Sequence, residues 1–140
     1  MKKTAEIVLI ALFSLIIVFH FMIIFSIIPY TIVWGGRLIS SGQMIIFESI
    51  SILLNGFFLA IILIKIGYLK VNIPSKVIRS ILWGMLILFL LNTLGNLASE
   101  SGFEKLVFTP LTLVISLCLI ISLFSKPNET RLAHDDALKS

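Results

Sequence analysis

Apolar residues along this chain gather into four long runs, at positions 7–28, 44–64, 77–98 and 106–124, separated by short polar stretches. Each run is near the ~20 residues that an α-helix, rising about 1.5 Å per residue, needs to cross a hydrocarbon core of roughly 30 Å. Backbone N–H and C=O groups find no partners in lipid, so a spanning segment satisfies them internally as a helix. The pattern predicts an all-α membrane protein: a four-transmembrane-helix bundle over 1–124, with short loops and a mobile cytoplasmic tail over 125–140. The tail carries Pro127 and mixed charges without an apolar face, although a short helix over 129–138 fits its sequence.

Met1-Lys2-Lys3 ahead of an apolar stretch imitates a secretion signal. The run continues past the usual apolar length and no small-x-small cleavage site precedes Pro29, so it is read as a retained first helix. The connection at 29–43 contains Tyr30 and Trp34, which suit the interfacial aromatic belt. Its Gly35 and Gly36 permit positive φ, and the Trp34-Gly35-Gly36-Arg37 backbone could form an anion nest. The connection at 65–76 has Gly67, Asn72 and Pro74 as breakers. Pro110 falls in the first turn of the last helix, where proline costs little, and Thr109 is placed to cap it.

Charge orients the bundle. Lys2, Lys3, Lys65, Lys70, Lys76, Arg79, Lys126, Arg131 and Lys139 fall on one side of the spans, against Arg37 and Lys105 on the other. Short flanking segments rich in Lys and Arg stay in the cytoplasm, which predicts an N-in/C-in protein of a bacterial plasma membrane. Composition agrees with the spans: 59% of residues are hydrophobic and 13% charged, against roughly 45–50% and about 25% in soluble domains. The net charge of +4 does not suggest nucleic acid, because the basic residues lie between the runs and not on one face. Lys65, Lys70, Lys76 and Arg79 are predicted to meet anionic lipid headgroups, and self-association as a homo-oligomer is compatible with the pattern. Cys118, the single cysteine, excludes an internal disulfide and a thiolate metal site, and its apolar run reads as packing. No cofactor or metal is expected.

Polar residues inside the runs are the informative ones, since a charge at depth in lipid costs at least ~2.5–3.5 kcal/mol on insertion scales. They are His20, Glu48, Asn55, Asn92 and Asn96, all in the outer half or near the midplane of the predicted orientation. Glu48, Ser51 and Asn55 stand at i, i+3 and i+7 on the second helix, while Asn92 and Asn96 stand at i and i+4 on the third. Two polar stripes at matching depth are expected to face each other. Gly56, Gly84 and Gly95 suggest close backbone approach, and Thr109, Thr112 and Ser116 give the fourth helix a hydroxyl stripe. Glu100 and Glu104 read as solvated surface.

The functional expectation is an outward-facing intramembrane pocket for a small polar ligand, ion or proton. Glu48 is its titratable or cation-binding group, His20 a relay or ligand, Asn55, Asn92 and Asn96 amide contacts, and Arg37 the neutraliser of Glu48 or receiver of an anion. The competing expectation is an accessory or toxin-immunity-type protein whose polar residues only hold helices together, at about 0.6–2 kcal/mol per contact. An enzyme ranks last, because one intramembrane His, one Cys and one buried acid assemble no nucleophile–base or metal constellation.

Overall fold

The computed structural model describes residues 2–124; the tail, with the helix expected over 129–138, lies outside the described residues. Four helices dominate: α1 (Lys2–Ile24), α2 (Ser41–Ile66), α3 (Ser75–Ala98) and α4 (Thr109–Phe124), the last led in by a π-helical turn at Glu104–Phe108. All four spans are long and apolar enough to cross a membrane, and the chain is a multi-pass membrane protein. Lys65 at the end of α2 meets both Glu6 near the start of α1 and Ser122 near the end of α4, so the helices run alternately up and down.

Local signals explain the ends. α1 stops four residues earlier than its apolar run because Ser26 takes a left-handed conformation at φ 59°. The N–H groups of Ser26 and Ile27 then bond back to Ile23 and Met22 at 2.9 Å, a Schellman closure built on serine where glycine is usual. α2 begins on a cap: the Ser40 hydroxyl accepts from Gln43 N–H at 3.3 Å, and the Gln43 side chain returns to Ile39 N–H at 3.1 Å. Gly67 at φ 84° closes α2, with Tyr68 N–H on Leu63 O at 2.9 Å. The second connection is thereby shorter than expected: Lys65 lies within α2, and Lys76 and Arg79 lie within α3.

α1 packs along α2 and α4, and α3 along α4, whereas α2 and α3 scarcely touch. The bundle is therefore a cylinder with one open seam. At mid-height Phe13, fully buried, holds the ring together by aromatic contacts to Phe58 of α2 and Phe89 of α3, with centroids 6.0 and 5.7 Å away. Lipid is as apolar as these rings, so the contact stabilises through shape and dispersion more than through removal of water.

Two expectations about packing are corrected. A Cβ added at Gly56, Gly84 or Gly95 would meet nothing within 4 Å, so these glycines do not mediate close helix approach. Thr109 does not cap, because the π turn runs continuously into α4; its hydroxyl is buried without a partner. Thr112 and Ser116 are buried as the predicted stripe requires, and Thr112 lies 2.9 Å from Thr93 across the α3–α4 contact.

At the end carrying the chain's start, the Lys65 ammonium donates to Glu6 Oε1 at 2.7 Å and to Ser122 Oγ and O at 2.6 and 2.9 Å. Its side chain is only 15% exposed, so Lys65 turns into the bundle where headgroup contact was expected. A long methylene stem makes this inward reach available to lysine.

Candidate functional site

The opposite end holds the two connections 25–40 and 99–103, and towards it lie polar residues from each of the four helices, among them His20, Glu48, Asn96 and Thr112. Glu48, about two turns into α2, is fully buried. Its Oε2 lies 2.5 Å from His20 Nδ1 on α1, and its Oε1 accepts from Trp34 Nε1 at 2.8 Å. Indole N–H can only donate, so Oε1 presents lone pairs to Trp34. Two lone pairs cannot meet at 2.5 Å, so one proton lies between His20 and Glu48. Each carboxylate oxygen keeps a second lone pair beyond these bonds.

Trp34 reaches Glu48 because of its backbone. Trp34, Gly35 and Gly36 all take positive φ, at 57°, 67° and 71°, which folds the loop back over the helix ends. The indole rests against Phe47 at a centroid distance of 5.0 Å. The interfacial aromatic expected at this position is thus also a donor to a buried acid.

The same loop carries the nest anticipated from its glycines, and the anion in it is the chain's own. Gly35 N–H lies 3.0 Å from both oxygens of Glu104, and Ser99 Oγ donates to Glu104 Oε2. Ser101 Oγ donates to Ile32 O at 2.9 Å, a second tie between the two connections. Glu104 is only 7% exposed, which corrects its assignment to solvated surface: at the start of the π turn its side chain faces inward under the first loop. Backbone and hydroxyl donors hold this carboxylate, which makes no ion pair among the described residues.

Between these groups lies a cavity of about 370 Å³ with walls from every helix. Glu48, His20, Asn55, Asn92 and Asn96 all line it, so five of the six residues singled out from sequence come together. Arg37 does not. It is exposed, outside the lining, beside Gly35, and Glu48 takes His20 and Trp34 in its place. Trp34 and Glu104 are the lining residues that spacing along the helices did not reveal.

Asn55 is the unusual member. It is 9% exposed and its Nδ2 donates to Ser51 O of its own helix at 2.8 Å, while its Oδ1 has no partner. Asn92 and Asn96 have no hydrogen bond to another helix among the described residues, so the inter-helix amide contacts of the competing reading do not form. Apart from His20, no basic side chain among the described residues lines the cavity. The lining therefore offers two carboxylates, an unpaired buried amide oxygen at Asn55, and the amides of Asn92 and Asn96.

The remaining wall is apolar and aromatic, with Phe19, Phe58, Phe89 and Phe108 among it. On one side, half-exposed Ile50 and Leu54 of α2 stand across the seam from exposed Asn92 of α3. With Trp34, these three are the exposed members of the lining, and they stand on the two helices that scarcely touch. No family model, curated protein or solved structure matches this chain.

Proposed function

We propose that the chain is a non-enzymatic membrane protein that binds a small ligand in this cavity, with the His20–Glu48 pair as its recognition and proton-exchanging group. The observation that carries the reading is the unpartnered, buried Asn55 Oδ1 on the wall that Glu48 and His20 also line. A buried amide oxygen without a donor costs about 1–3 kcal/mol, a cost that a bound donor removes. Asn92 and Asn96, free of other hydrogen bonds among the described residues, supply further amide contacts.

In the N-in/C-in orientation favoured by the basic residues, the cavity lies in the outer leaflet of a bacterial plasma membrane. Lys70, Lys76 and Arg79 then meet anionic headgroups on the cytoplasmic face. Glu48 belongs to the wall of that cavity, behind His20 and Trp34, which hold its carboxylate. A second reading, an accessory protein whose polar groups lock the bundle, draws on the Gly35–Glu104 and Glu6–Lys65 contacts, which are fully made.

Trp34 supplies the test. In a Trp83→Phe background it is the sole indole, and it is bonded directly to Glu48. The protein in phosphatidylcholine nanodiscs is titrated with ethylammonium, acetate and dodecylammonium while emission is recorded. A saturable change with any of these, lost in Glu48→Gln, supports binding at the cavity. A flat response to all three contradicts it.

A further inference from the structure

We infer that the ligand is an amphiphilic amine, a molecule with an apolar body and an ammonium head, and that it enters sideways from the lipid through the α2–α3 seam. The inference rests on the cavity-binding reading above and names its substrate class. Three observations on different parts of the site lead to it.

The first is charge. Glu48 and Glu104 line the cavity, and among the described residues His20 is the sole basic group in the lining, with no lysine or arginine beside them. A single proton between His20 and Glu48 leaves that pair neutral or negative, and Glu104 is held by neutral donors. A phosphate or carboxylate head would meet like charge, whereas an ammonium brings three donors and a positive charge to a site with two carboxylates and an unpaired amide oxygen.

The second is the orphan acceptor. Asn55 Oδ1 is buried and unpaired, seven residues along α2 from Glu48 and therefore on the same face about two turns deeper. Its Nδ2 is engaged by Ser51 O, which fixes the amide with oxygen as the free end. At this depth on α2 the free group is an acceptor, which a donor on the ligand would satisfy.

The third is access. Seam residues Ile50 and Leu54 are 56% and 39% exposed on a surface whose surroundings are lipid, and the rest of the wall is aromatic and aliphatic. A fully hydrated cation has no apolar surface to offer this wall. An alkyl or aryl amine covers the wall with its body, and the rings of Phe19, Phe58, Phe89 and Trp34 can face its charged end. At about 370 Å³ the space falls at the lower end of the roughly 300–1,000 Å³ typical of small-molecule sites, enough for a short amphiphile and not for a two-chain lipid.

The experiment compares dodecylammonium, dodecanoate and ethylammonium on the Trp83→Phe protein in phosphatidylcholine nanodiscs, with Trp34 emission as readout. Dodecylammonium is expected to give a saturable response at the lowest concentration, and dodecanoate none. Asn55→Leu should weaken dodecylammonium about tenfold, while Asn55→Asp, which keeps an acceptor, should not. Leu54→Trp, which narrows the seam away from the polar groups, should slow association of dodecylammonium more than of ethylammonium. Retained folding of each variant is read from its circular dichroism. If ethylammonium saturates and dodecylammonium is no better, the cavity reading stands and the amphiphile inference falls. If dodecanoate binds as well as dodecylammonium, the charge argument is wrong. A flat response to every probe overturns both.

Discussion

The backbone N–H of Gly35 lies 3.0 Å from each oxygen of Glu104, joining a loop after the first helix to the entry of the fourth, 69 residues on. Ser99 and Ser101 complete the clasp from the second loop. It closes the end of the bundle over the cavity and holds Trp34, the next residue back, on Glu48. The geometry needs positive φ at Gly35, where a side chain costs roughly 1–2 kcal/mol. Gly35→Ala is therefore expected to lower stability by about that amount, measured by denaturant unfolding in mixed micelles. Glu104→Ala should cost more, about 2–3 kcal/mol, because it leaves the Gly35 N–H and the Ser99 hydroxyl without their acceptor. Equal effects would mean that the carboxylate contributes nothing beyond the loop conformation.

At the other end, Glu6 and Lys65 form a largely buried pair with Ser122. Removing one partner leaves the other charge uncompensated, so Glu6→Leu or Lys65→Met alone should destabilise by about 3 kcal/mol. The double substitution should recover most of that loss. A double-mutant cycle on the same unfolding assay checks this, and additive losses would contradict the pairing.

The spans were readable from the sequence because lipid imposes a length and an apolar composition on any crossing helix. The inward direction of Glu48 was readable for a similar reason: a carboxylate facing acyl chains is too expensive, whatever its partner. The partners themselves were not. Trp34 reaches Glu48 through three successive positive-φ residues, two of them glycines that permit such angles without requiring them. Glu104 looked like a loop acid because its burial depends on a π turn and on a loop 69 residues away. Arg37 was the obvious counter-charge by sequence distance, yet the turn directs it outside the lining. Lys65 counted toward the basic side, but a side chain that long can turn inward to an acid on another helix, which hydropathy does not register.

Orientation is expected to follow from the basic residues, among them Lys70, Lys76 and Arg79 at the second connection. Reporter fusions placed within 39–43 and at Ser140 are expected to report the outside and the cytoplasm respectively. Exchanging Lys70, Lys76 and Arg79 together for Gln should mix the two orientations while leaving the Glu6–Lys65 pair and folding intact. A single unchanged orientation after that exchange would assign topology to other determinants.

His20 Nδ1 and Glu48 Oε2 form a hydrogen bond of 2.5 Å, so the two side chains should act as one unit. His20→Gln, Glu48→Gln and the double variant are expected to weaken ligand binding to the same extent, with the double variant no worse than either alone. Ligand titrations against Trp34 emission measure this for the histidine and glutamate variants alike. Independent, additive losses would show that the two side chains serve separate contacts.

Native mass spectrometry addresses the cavity most directly. Wild-type protein and Glu48→Gln are extracted from their own membranes in nanodiscs, released in the gas phase and compared for retained small molecules. Gln keeps the size of the side chain and much of its hydrogen bonding, so the variant should fold and carry the same annular lipids. The account predicts a one-to-one adduct on the wild-type chain, of a mass and fragmentation matching an amine, that is depleted about tenfold in Glu48→Gln. Identical spectra from the two proteins would contradict it.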